Sequence, residues 1–168
     1  MIQLETMRVL YRYNDWANDQ LLLAAGQVGD GRLDQPFDLG LGSLRATLMH
    51  IIIAEDTFLK RSQGQVEAPW GDEGERAIVT QMNERLDDTR RRRDAFFAAL
   101  KDSELPSKRV YRDSFGSLFA TTLGDLIVQV CTHSMHHRAQ VVNMLRRVGA
   151  NAPELDYIYW MRRPEAKD

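Results

Sequence analysis

Apolar residues recur at spacings of three and four over four long stretches of this chain, and glycine- and proline-bearing segments separate the first three. That period is the repeat of an α-helix with one buried face, and four such faces must cover one another. The first stretch spans about Leu4 to Gln27, with Met7, Leu10, Asn14, Ala17, Leu21 and Ala24 on one side. "GDGRLDQPFDLGLGS" ends it with four glycines and a proline. The second starts at Ser43, a good N-cap, and runs to about Ser62; "LMHIIIAEDTFL" within it is apolar nearly all round. After a loop from Gly64 to Gly74, the third spans about Glu75 to Lys101, with Ile78, Met82, Leu86, Thr89, Phe96 and Leu100 turned inward. "KRVYRDSFGSLFAT" is too short for such a helix and reads as a small hairpin around Gly116. The fourth helix starts at Thr122, with Asp125 completing a variant capping box, and stops at Val148 before Gly149. The expectation is an all-α chain, one domain over residues 1–168, folded as a four-helix bundle with a small hairpin or loop before the last long helix.

Composition narrows the function classes. A net charge of −2 argues against a protein that tracks nucleic-acid phosphates. The basic run Arg90–Arg93 is flanked by Asp87, Asp88 and Asp94, as on a solvated helix face. The single cysteine, Cys131, allows no internal disulfide and reads as buried and inert. The first fifteen residues carry charges throughout, unlike a secretory leader, and no run reaches the ~18 apolar residues of a membrane span. The expected location is cytoplasmic.

Three of the four histidines fall in "CTHSMHHRAQ", residues 131–140. At ~100° per residue, Leu126, Val130, His133, His137, Val141, Met144 and Val148 form one stripe. His133 and His137 therefore face the core one turn apart, and His136 points to the flank. Two imidazoles on an inward stripe must satisfy four ring nitrogens away from water, which a metal ion or buried hydrogen-bond partners would do. The spacing alone leaves both readings open. His-x-x-x-His is a weak motif, and the Glu of a zincin is missing from it. The fourth histidine, His50, lies mid-way along the second helix with Ala46 and Ala54 one turn either side. Those small residues leave room for an ion, or simply let two helices approach closely. Were His50 to meet the other two, three neutral nitrogens with an open position would make a catalytic type of metal site.

In this order and spacing, several segments resemble the DinB (DinB/YfiT-like) family. "YNDWAN" (residues 13–18), "LMHIIIAED", "HSMHHRAQ" followed by "LRRVG", and the closing "APELDYIYW" are similar to its segments over nearly the whole chain. The resemblance implies an up-up-down-down bundle holding one divalent metal on His50, His133 and His137, with His136 outside the ligand set. Zinc is the expected metal and nickel the alternative. It further implies a metal-dependent enzyme, either an S-transferase using a low-molecular-weight thiol or a hydrolase. The rival is a non-enzymatic metal-binding or stress-associated protein with a structural or sensory site. The expected partners are a small-molecule substrate and a second copy of the chain, with neither nucleic acid nor membrane.

Other residues carry simpler expectations. Tyr13 and Trp16 read as core aromatics. Asn14 reads as a hydrogen-bond partner of a ligating histidine or of a backbone carbonyl. Glu55, ~140° around the helix from His50, reads as an ion-pair or helix-end residue, and Arg138 as the partner of a carboxylate such as Asp156. Phe96 and Phe97 cannot both face one core; a dimer contact is one outlet, and packing under the hairpin or the segment Tyr157–Trp160 is the other.

Overall fold

A computed structural model describes residues 3–162; the two ends of the expected 1–168 domain lie outside them. The described residues hold five helices and a two-stranded sheet, in the order α1 (Leu4–Val28), α2 (Leu44–Ser62), α3 (Val79–Ala99), β1 (Lys108–Arg112), β2 (Leu118–Thr122), α4 (Leu123–Arg147) and α5 (Tyr157–Met161). Short 3-10 turns stand at Asp30–Arg32 and Asp102–Glu104.

Local chemistry sets most of these limits. The Ser43 hydroxyl accepts from the Ala46 amide at 3.1 Å and opens α2. Thr122 does the same for Asp125 N–H at 3.1 Å at the head of α4. Gly149, at φ 73°, lets the chain leave α4 in the left-handed region. β1 and β2 pair antiparallel from Lys108 opposite Thr122 to Arg112 opposite Leu118, as the hairpin reading expects.

The third helix departs from expectation. It starts at Val79, not near Glu75, because the preceding segment is held against α2. Arg45 Nη1 donates to the Ala77 carbonyl at 2.5 Å, and the Gln81 side chain accepts from Ile78 N–H at 3.0 Å. Ile78 is thus an extended, exposed residue before the helix and no part of its inner face. Of the phenylalanine pair, Phe97 is the buried one, edge-on to Tyr11 at 5.1 Å, while Phe96 packs only partly buried at the rim of the same apolar cluster.

α1 and α2 each pack against both α3 and α4. Their apolar faces form two clusters. One centres on Leu21, Leu44, Met49, Met82, Leu86 and Met144, the other on Met7, Tyr11, Phe97, Leu123, Leu126 and Ile127. The histidines and a second polar group are carried by the same helices that supply these clusters. No described helix is long and apolar enough to cross a membrane.

Candidate metal centre

The expected register of α4 holds. His133 and His137 project from one side and meet His50 from α2. One ring nitrogen from each lies within 4.8 Å of the others. His50 Nε2 and His133 Nε2 are 3.0 Å apart, and the His137 ring centre is 4.4 Å from that of His50 and 4.5 Å from that of His133. Nitrogens bound tetrahedrally at 2.0–2.1 Å to one ion stand about 3.3 Å apart. His136 is exposed and outside the group, as its place on the wheel requires.

The other faces of two rings are occupied. His50 Nδ1 lies 2.5 Å from Glu73 Oε1, and the Trp70 indole N–H donates to the same oxygen at 2.5 Å. Trp70 also lies against His50, with ring centres 5.4 Å apart. His137 Nδ1 lies 2.8 Å from Gln140 Oε1, and the Gln140 amide nitrogen is 3.2 Å from His136 Nε2. A carboxylate and an amide oxygen only accept, so His50 and His137 carry their proton on Nδ1 and present a lone pair at Nε2. His133 can then donate from Nε2 to His50, but its own Nδ1 would hold a lone pair with nothing to accept from, and that atom is buried without a partner. A divalent cation would take the three Nε2 lone pairs together, so this donor set fits one, although the His133 Nδ1 stays without a partner either way.

Electrostatics point the same way. Burial, then the neighbouring imidazoles of His137 and His50, push His133 down to about 4. Burial also lowers His137, against the opposing bond to Gln140. For Glu73, burial would favour the neutral acid, but the bonds from His50 and Trp70 outweigh it and keep the carboxyl below its usual range. At neutral pH His133 and His137 are thus neutral bases and Glu73 beside the site is an anion.

A second polar group lies on the same helices. Asn14 and Asn18 of α1 donate from their amide nitrogens to Glu55 Oε1 at 2.7 and 2.6 Å. Arg138 Nη1 donates to the Asn14 and Asn18 oxygens. All four side chains are fully buried. Three expectations are corrected here. Asn14 bonds Glu55 and Arg138, not a histidine or a carbonyl. Glu55 is a buried acceptor for two amides and makes no direct ion pair among the described residues. Arg138 reaches amide oxygens and stacks over Tyr13, with its guanidinium carbon 5.3 Å from the ring centre, and does not pair with Asp156. Tyr13 is buried as expected and donates to the Leu155 carbonyl at 2.7 Å, whereas Trp16 is only half-buried. Cys131 is held protonated, its thiol pushed up to about 12 by burial and then by Glu55.

Clefts of several hundred Å³ lie elsewhere, one of about 450 Å³ beside Arg8, Tyr11 and Arg93. Another of about 580 Å³ is lined by Leu10, Tyr13, Met135, Arg138 and Val142, and one of about 560 Å³ by Ile52, Asp56, Gly71, Arg85 and Arg92. The triad is open to solvent only narrowly: the His50 side chain keeps 14% of its surface exposed. The sequence reading did not find Glu73, Trp70 or the bond from Gln140. Gln140 had a signal, since it stands three residues after His137 on one helix face. Glu73 and Trp70 stand in a loop without a period.

The family model described as the DinB family matches residues 1–167. Protein DinB of Bacillus subtilis (strain 168) is 23% identical over 154 residues, covering 88% of this chain and 89% of that protein. The crystal structure of a DinB-like protein from Bacillus cereus ATCC 10987 superposes with a TM-score of 0.64 at 21% identity, covering 90% of this chain and 97% of that one. At that identity the likeness concerns the fold.

Proposed function

This chain belongs to the DinB family, and we propose that it binds one divalent metal ion through His50, His133 and His137 and acts as a metal-dependent enzyme, a thiol-dependent S-transferase or a hydrolase. The observation that carries the reading is the convergence of three imidazoles from two helices, two of them with Nδ1 already engaged. A divalent ion with an open position lowers the pKa of a bound thiol or water, so that the nucleophile exists at neutral pH. The protein's part is to keep three neutral bases in place, hold a carboxylate beside them and limit water to a narrow approach. Three imidazoles suit zinc, nickel, copper and iron alike; zinc is proposed for its availability, and nickel is the alternative. We read the long helices as an up-up-down-down bundle, supported by the packing of α1 and α2 against both α3 and α4. Assembly as a homodimer in the cytoplasm belongs to the same proposal, and light scattering at micromolar concentration tests the dimer: a monomer mass refutes it.

One observation favours a second reading. The three roomy clefts described are lined by residues other than the triad, as suits a structural or sensory ion. Elemental analysis followed by a panel of thiols and electrophiles, with metal-loaded and metal-stripped protein, separates the two. Turnover that returns with metal supports the enzyme. Stoichiometric metal with no turnover across the panel supports the second reading.

A further inference from the structure

The two ring nitrogens that turn away from the triad centre on His50 and His137 are held by chemically different acceptors. On His137 the acceptor is neutral, three residues on in the same helix, so α4 itself fixes the geometry. On His50 it is a carboxylate in the segment between α2 and α3, 23 residues away. That carboxylate is itself oriented: the Trp70 indole N–H donates to the same oxygen, and the Trp70 ring lies against the His50 ring. Trp70 is partly buried against both apolar clusters. The chain from core to Trp70 to Glu73 to His50 therefore has no freely rotating link.

We propose that Glu73 is the positioning residue of the metal centre, and that Trp70 clamps its carboxylate so that His50 keeps its proton on Nδ1 and turns Nε2 toward His133 and His137. This rests on the metal-binding reading above and adds which residue outside the ligand set governs affinity. Two physical effects act together. A carboxylate on the far nitrogen makes an imidazole a stronger donor, and such partners are worth 10–100-fold in metal affinity. Three neutral ligands also leave a divalent charge uncompensated, and Glu73 places one negative charge a single ring away. Gln140 gives orientation without charge, so its removal costs less. Trp70→Phe removes the indole N–H that holds Glu73 but keeps an aromatic ring against His50, so its loss is felt only while Glu73 is present.

The test is Zn²⁺ affinity by competition with a chelating indicator, with the visible spectrum of bound Co²⁺ as a second readout. The variants are Glu73→Gln, Glu73→Ala, Gln140→Ala, Trp70→Phe, the double variant Trp70→Phe/Glu73→Ala, and Glu67→Gln as an exposed control near the same segment. Glu73→Ala is expected to weaken Zn²⁺ by about 10–100-fold and to change the Co²⁺ band. Glu73→Gln keeps an acceptor but no charge and should fall between it and wild type. Gln140→Ala should lose less than Glu73→Ala, and Trp70→Phe should lose affinity singly but nothing further in the double variant. Glu67→Gln should match wild type. Melting of the metal-stripped Glu73 variants should stay close to wild type, because Glu73 lies outside the apolar clusters. Wild-type affinity and spectrum in both Glu73 variants, with metal still bound by the three histidines, would overturn the positioning role alone. A wild-type protein that takes up neither ion overturns the metal reading and this inference with it.

Discussion

Two polar clusters share α2 and α4 and are built to opposite rules. His50 and Glu55 stand five residues apart on one helix, and His137 and Arg138 are neighbours on the other. In the Glu55 cluster an acid and a base sit at the two ends of a pair of amides. The Asn14 and Asn18 oxygens face Arg138 and their nitrogens face Glu55, so every dipole points the favourable way. Only Arg138 Nη2 is left over. In the histidine cluster like meets like: three imidazoles converge, with His50 Nε2 and His133 Nε2 3.0 Å apart, and the nearest charge is an anion. The first cluster carries its own opposite charges and ties α1 to α2 and α4. The second has the complement of a cation built into it. Burial does not distinguish a structural polar group from a functional one here, and neither does a single unpartnered atom, since each cluster has one; charge balance does.

The comparison is broken most severely from the closed side. Glu55→Ala or Arg138→Met leaves one buried charge alone, which costs about 3–5 kcal/mol; urea unfolding of the metal-stripped protein should show a loss of that size. A loss under about 1 kcal/mol, the ordinary scale of a neutral hydrogen bond, would mean that the cluster is dispensable. Next in size, His50→Ala, His133→Ala and His137→Ala should each remove most of the bound metal by elemental analysis. The fold should largely persist in all three, since the site is no mainstay of the metal-free core.

A sharper contrast comes from His133→Leu. It deletes an unpartnered buried nitrogen and fills the space with carbon, so the metal-stripped variant should match or exceed wild type, by up to about 1 kcal/mol. A charge-removing change in the closed cluster should instead cost the about 3–5 kcal/mol expected for a buried charge left alone. Acid acts on one cluster first. His133 is held near 4 in the fold against ~6.5 in an unfolded chain. Between those values the unfolded chain binds more protons, so stability of the metal-free protein falls as pH drops from about 6.5 toward about 4 and recovers on the way back. Metal occupancy falls in the same direction, because protons compete for the ligand nitrogens. A flat profile of unfolding midpoints over that window would contradict the depressed His133. The smallest effect belongs to His136→Ala, which should change neither metal content nor stability; equal metal loss there would overturn the ligand set.

What could be read from sequence follows from what a period encodes. The three-four repeat says which face of a helix turns inward. It placed the four long helices, His133 and His137 on one inner face and His136 off it. Caps at Ser43, Thr122 and Gly149 set ends because their chemistry is local. A period does not say which neighbour an inward side chain meets. Asn14, Glu55 and Arg138 were therefore seen singly, and their mutual bonds, spanning 41 and 124 residues, were not. Nor does it describe loops. Glu73 and Trp70 acquire meaning only once α2 lies beneath them, and Ile78 lost its helical place to a contact with Arg45 one helix away.

The bond between His50 and His133 closes a loop of 83 residues. During synthesis the first ligand is made long before the other two, and until α4 docks, a nascent chain offers one histidine of three. Loop-closure entropy grows only slowly with such a length, so the delay is one of order, not of difficulty. On the proposed metal reading, capture would follow the assembly of the last long helix, and a chain stalled before it would be a poor competitor for a scarce ion. On that reading the ion would select for chains whose last long helix has docked, and loading would be a timestamp of finished folding.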